Sequence, residues 1–169
     1  KVPKTEELVQ QVRNVSSVSK LTYSDKSLIA EVDNDLLRIP VKSDAISENV
    51  KKAVIATEDE NFETHNGVVP KAVLRATLGS VVGVGSSSGG STITQQLIKQ
   101  QVVGDAPTFK RKATEIVDAL ALERYMSKDD ILTTYLNVSP FGRNNKGQNI
   151  AGVEEAAQGI FGVSAKDLT

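Results

Sequence analysis

The sequence contains no cysteine. Disulfides, zinc–thiolate sites and cysteine nucleophiles are excluded, while the compartment stays open. It has one histidine, His65, which cannot build a metal site alone. A lone histidine is more often a hydrogen-bonded structural group than a ligand. Charge of either sign is not in excess: 20 Lys and Arg face 21 Asp and Glu, a formal net charge of -1. No global field therefore draws the chain to nucleic acid or to an anionic membrane. No apolar run reaches the roughly 18 residues that span a bilayer. Lys1 opens no leader pattern, and SAKDLT closes without a capping signal, so we read a piece of a longer chain. Repeats of 20–50 residues are absent. What remains is ordinary: 169 residues, 39% hydrophobic and 24% charged, enough for one domain with a core.

Periodicity supplies the elements. Leu8, Val12 and Val15 predict a short N-terminal helix. KLTYSDKSLIAEV predicts a hairpin turning at Ser24–Ser27, with LLRIPV as a third extended piece. From Ser43 the pattern is helical, with Ile46, Val50, Ala53 and Val54 in one stripe. Ala72, Val73, Ala76 and Val81 predict a second helix that fades into GSVVGVGSSSGG. Further helices are expected over 92–102, 109–126, 128–136 and 152–160. The fold class is mainly α, with a minor β element near the start. The domain reading is a linker helix and β element over 1–42, then the main domain over 43–169.

Three stretches carry chemistry. In ATEDENFETHNG, Glu58 continues the Ile46–Val50–Val54 stripe. One reading is that the helix end swings it to solvent. The other is a carboxylate at a cleft rim, where partial burial would suit it to general-base work. In GSSSGGSTITQQLIK, Gly85 and Gly90 have the spacing of a nucleotide-binding P-loop, but Ser91 stands where that motif needs lysine. What survives is a helix N-terminus whose Thr92-x-x-Gln95 fits a capping box. Gln96 and Lys99 share a face with Thr92. In FKRKATEIVDALALERY, Arg111, Lys112 and Glu115 lie on one side of a helix. That trio is either surface decoration, worth about 0.2–0.5 kcal/mol per pair, or a basic pair beside a carboxylate, able to hold phosphate or share a divalent cation with one.

The order of these stretches is specific. Glu58-Asp59-x-x-Phe62-x-x-His65-x-Gly67 resembles the first signature of the peptidoglycan glycosyltransferases, the family of the N-terminal catalytic modules of class A penicillin-binding proteins. Gly90-Ser91-Thr92-Ile93-Thr94-Gln95-Gln96 is similar to the second, and Arg111-Lys112-x-x-Glu115 to the third. Lys128-x-x-Ile131-Leu132-x-x-Tyr135-Leu136-Asn137 resembles the fourth. Gly152-Val153-Glu154-Glu155-Ala156-Ala157, closed by Phe161-Gly162, resembles the fifth. Where the family often continues the fourth signature into a Tyr-Phe-Gly run, this chain has Val138-Ser139-Pro140-Phe141-Gly142.

The resemblance implies a lysozyme-like helical domain with a membrane-proximal small lobe. It implies polymerisation of lipid II into a growing β-1,4 glycan strand, with inversion at the donor's anomeric carbon and release of undecaprenyl diphosphate. Glu58 would deprotonate the acceptor hydroxyl. Glu115 would assist at the donor diphosphate, directly or through Mg2+ or Mn2+; no organic cofactor is implied. Asp59, Phe62, His65, Ser91, Thr92, Gln96, Lys99, Arg111, Lys112 and Asn137 would bind substrate, and Lys99, Arg111 and Lys112 would neutralise the leaving group. The stretch Val68–Val84 would line the acceptor side near the lipid, and the glycine-serine segment 79–90 would order on binding. Implied partners are the outer leaflet of the bacterial cytoplasmic membrane, the inhibitor moenomycin, and a transpeptidase domain in the full-length chain; nucleic acid is not among them. Localisation would be extracytoplasmic, anchored by a transmembrane helix outside this sequence. The rivals are a muramidase-like hydrolase, which would have little use for three cations, and a non-catalytic peptidoglycan-binding module, which would need no Glu58.

Overall fold

A computed structural model of the chain describes residues 5–14, 19–22, 28–32, 36–75, 90–106, 108–143 and 147–169. Helix α1, Thr5–Arg13, buries Leu8 and Val12 as its spacing predicts. Strands β1, Ser19–Thr22, and β2, Leu28–Val32, form the expected antiparallel hairpin. Its turn residues, Ser24–Ser27, lie outside the described set, as do Val15, Ala76 and Val81 and, of the segment 79–90, everything before Gly90. Of Val68–Val84, residues 68–75 are described; residues 70–75 form helix α3. Helix α2, Glu48–Glu58, is capped by Ser47 Oγ, which accepts from Asn49 N at 3.2 Å.

Helix α4, Ile93–Ile98, is the axis of the core. Ile93, Leu97 and Ile98 are fully enclosed, and α4 packs against both α5, Phe109–Leu122, and α6, Lys128–Val138. Both halves of the predicted capping box are present: Gln95 N donates to Thr92 Oγ1, and Thr92 N donates to Gln95 Oε1, each at 3.0 Å. The helix then continues as a π-helical turn over Lys99–Val103. From that turn Gln101 Nε2 donates to the carbonyls of Val12 and Asn14, both at 3.1 Å, and so caps α1. The bonds supply acceptors' partners that a helix C-terminus otherwise lacks.

The β structure is not confined to the start of the chain, as the sequence suggested. Strand β3, Leu36–Leu37, pairs in parallel with β5, Asn149–Ala151, and β4, Pro140–Arg143, pairs antiparallel with the other edge of β5. These strands are too short for alternation to show, and the parallel pair joins segments far apart in sequence. Helix α7, Val153–Ala156, continues as a second π-helical turn, Ala157–Phe161. Its Glu154 is buried and accepts from Ala165 N at 2.8 Å, while Ala165 O accepts from Ser47 N. The fifth signature therefore ties the end of the chain to the start of α2.

Candidate active site

The site is built around two consecutive residues of α4. Gln96 is half-buried, and its Nε2 donates to Glu58 Oε2 at 3.1 Å. Gln95 is enclosed, and its Nε2 approaches Glu115 Oε1 at 3.4 Å. Side chains about 100° apart on one helix thus reach the two carboxylates that the sequence singles out.

Glu58 ends α2 and is exposed, so the partial burial expected of a cleft-rim base is not what the structure shows. The physical reason is helix drift. Ile46 is buried, Val50 and Val54 are half-buried, and one more turn brings the stripe to solvent. The residues after Glu58 are held tightly. Asp59 Oδ2 accepts from His65 Nε2 at 2.7 Å and from Ile93 N, the first residue of α4, at 2.9 Å. Gly67 N donates to His65 Nδ1 at 2.9 Å, so Nε2 carries the proton given to Asp59. Gly67 has φ +97°, and a Cβ there would lie 2.6 Å from Ala119 O, which excludes any other residue at this close approach to α5. Lys128 Nζ donates to His65 O at 2.7 Å and to Glu123 Oε1 at 2.8 Å, and sits 4.6 Å from the centre of the Phe62 ring. Thr94 Oγ1 donates to the same Glu123 oxygen at 2.6 Å.

This network shows where part of the expected binding set lies. Phe62 is fully enclosed, and the Asp59 and His65 side chains are only 4% and 5% exposed. They pack behind Glu58, and Asp59 and His65 bond to protein groups. Thr92 is 2% exposed and spends its hydroxyl on Gly67 O and the helix cap. Asn137 clips backbone: its Nδ2 donates to Val41 O at 2.8 Å, and its Oδ1 accepts from Val41 N at 2.9 Å. All five side chains are buried, and the polar ones among them are bonded to protein groups.

The cations form the other half of the site. Glu115 is 1% exposed, and Arg111 Nη1 donates to its Oε2 at 2.6 Å, while Lys112 Nζ donates to its Oε1. The trio is therefore no surface decoration. Lys112 Nζ also donates to Ser91 Oγ at 3.0 Å, and Arg111 Nε to Ala106 O. Lys99 Nζ pairs with Asp105 Oδ1 at 2.9 Å on the loop after the π turn. A hydrogen bond from Lys99, its charge, and the charge of Arg111 hold the Asp105 carboxyl below the usual range. A single exposed carboxylate thus feels both cations.

Asp118, one turn beyond Glu115, is enclosed, and among the described residues its Oδ2 has no hydrogen-bond partner. Burial raises its proton affinity. A carboxyl whose folded value is raised costs stability as pH climbs through and above the ordinary carboxylate range, and costs nothing well below it. Asp118→Asn is accordingly expected to raise the melting temperature at neutral pH. The gain should vanish at a pH below the ordinary Asp value of 3.8. Thermal melts at the two pH values check this; equal gains at both would count against it.

Sequence reasoning did not single out Tyr135, Lys128 or Glu123 as members of the site. Tyr135 had a signal: a tyrosine at a core position of a helix needs a partner for its hydroxyl. Lys128 opens the fourth signature, which marks it without saying what it touches; Glu123 gave no signal, because its contacts cross between elements.

An exposed carboxylate beside an amide on one side and carboxylate-clamped cations on the other are thus brought to one helix, α4, and its flank. A family described as Transglycosylase matches residues 25–169. The chain is 38% identical over 164 residues, 95% of its length, to penicillin-binding protein 1A of Clostridium perfringens strain 13, and 40% identical over 132 residues, 78% of its length, to penicillin-binding protein 1F of Bacillus subtilis. It is 43% identical over 124 residues, 73% of its length, to penicillin-binding protein 2a of Streptococcus pneumoniae D39. The matches cover 23%, 18% and 16% of those proteins. The chain belongs to the transglycosylase family, the peptidoglycan glycosyltransferases.

Proposed function

We propose that this domain polymerises lipid II, with Glu58 as the general base. The observation that carries the reading is the exposed Glu58 carboxylate held by Gln96 on the same helix that leads to Lys99. The acceptor's 4-hydroxyl gives its proton to Glu58 as its oxygen bonds to C1 of the donor sugar. The bond from C1 to the diphosphate breaks, its electron pair leaves with undecaprenyl diphosphate, and attack from the opposite face inverts C1. The leaving group is already an anion, so cations rather than a proton donor meet it. Lys99, Arg111 and Lys112 serve that role, with Ser91 beside Lys112.

Glu115 holds Arg111 and Lys112 in place. Both of its oxygens are engaged by those cations, and among the described residues no cluster of three metal-ligating side chains exists. The residues present do not fit direct ligation of a divalent cation by Glu115, and no step is routed through one. No helix among the described residues is long and apolar enough to cross a membrane. We place the domain at the outer leaflet of the bacterial cytoplasmic membrane, anchored and joined to a transpeptidase domain by parts of a longer chain.

The discriminating experiment offers lipid II and soluble glycan to the purified chain. Polymer from lipid II supports the reading; release of reducing ends from glycan supports a hydrolase; neither, with glycan binding intact, supports a binding module. The leaving-group assignment has its own test in moenomycin affinity. Lys99→Ala and Arg111→Ala should each weaken binding about 10–100-fold, the range of a charged hydrogen bond of about 1.5–3 kcal/mol. Arg111→Lys should also weaken it, because the two-pronged contact to Glu115 and the 106 carbonyl is lost at equal charge. Unchanged affinity in both alanine variants would refute the role.

A further inference from the structure

We infer that Tyr135 is a positioning residue that sets the amide of Gln96 and thereby fixes which oxygen of Glu58 takes the proton. The inference rests on the reading of Glu58 as the base. Tyr135 is 7% exposed on α6, and its hydroxyl lies 2.9 Å from Gln96 Oε1. The phenol also meets the Ser139 hydroxyl, which gives its own proton to the Tyr135 carbonyl. Gln96 Oε1 needs a donor because the amide's nitrogen faces Glu58, and the phenol is the one within reach. Burial, and then the negative charge of Glu58, raise the proton affinity of the phenol, which keeps it a donor.

An amide whose oxygen accepts from Tyr135 must turn its nitrogen the other way. The Nε2 then donates to Glu58 Oε2 at 3.1 Å and approaches Ser91 O at 3.4 Å. The reverse orientation would set a carbonyl oxygen against a carboxylate. Both amide ends are thus engaged, and the Gln96 side chain is one rigid unit between a buried phenol and an exposed carboxylate. Among the described residues no hydrogen bond reaches Glu58 Oε1. That oxygen is the one left to accept the acceptor's proton, and Tyr135 touches neither substrate nor base to bring this about.

The test is a double-mutant cycle with Tyr135→Phe and Gln96→Ala, in which phenylalanine keeps the ring and removes only the hydroxyl. Tyr135→Phe should lower kcat for polymerisation about 5–10-fold and leave KM within about twofold, the pattern of a group acting in the transition state. In the Gln96→Ala background the same change should cost nothing further, since contacting residues in one network couple fully. The Gln96 side-chain NH2 resonances should move in Tyr135→Phe toward those of a free glutamine. Equal costs in both backgrounds, or unmoved Gln96 resonances, would overturn the inference. If the wild-type chain makes no polymer, the reading of function fails, while the resonances still decide whether Tyr135 holds the amide. Should Tyr135→Phe not fold, 3-fluorotyrosine at position 135 gives a fluorine signal that Gln96→Ala must shift; an unshifted signal defeats the proposal equally.

Discussion

Glu58→Gln is expected to cut polymerisation of lipid II by at least about 10²-fold, the usual contribution of a general base. The substitution keeps the shape of the side chain and removes its basicity. Its effect on folding should be small, because Glu58 is exposed and its only hydrogen bond among the described residues is to Gln96. The elements that hold the position do not use the Glu58 carboxylate. Asp59, His65 and Ile93 N form their own bonds one residue further on. Melting temperature and moenomycin affinity should therefore stay near those of the parent while turnover collapses. A folded Glu58→Gln protein that elongates glycan at a near-normal rate would sink the assignment.

Glu115→Gln should damage the fold as well as the activity. Removing one partner from a buried ion pair costs about 3–5 kcal/mol when both charges are enclosed. Here Arg111 is 16% exposed and Lys112 34%, so the stranded cations relax partly into water. Solvent screening lowers the expected loss to about 2–3 kcal/mol. Two cations held by one carboxylate would also repel once it is gone, and the leaving-group contacts would splay. The measurements are the urea midpoint and moenomycin affinity, which should fall together. A midpoint unchanged from the parent would mean that the trio is solvated decoration after all.

Much of this was legible in the sequence where the signal is local. Leu8 and Val12 share a helix face and are both buried, and Thr92 with Gln95 form the capping box that their spacing announces. Arg111, Lys112 and Glu115 are neighbours on one helix, so their meeting follows from the helical repeat. The exposure of Glu58 depended on where a stripe three turns long drifts out of the core, which periodicity alone does not fix. Phe62 and His65 sit within a signature associated with substrate, yet their burial depends on Lys128, which comes from another element. Strands β3 and β5 are too short to carry a pattern, and only their pairing across the fold defines them.

The adjacency of Gln95 and Gln96 has a consequence for length variation. Both carboxylates of the site connect to α4 through neighbouring positions, so gaining or losing one residue between Thr92 and Gln96 would rotate both amides by about 100° at once. No compensating side-chain change could rescue one contact without forfeiting the other. Insertions and deletions within 92–96 should then be lethal to turnover, whereas in the exposed loop at 104–106, beyond the π turn, they disturb only the Lys99–Asp105 and Arg111–Ala106 contacts and should be milder. A scan of single-residue deletions through 90–108, scored for polymer formation, would draw that boundary directly.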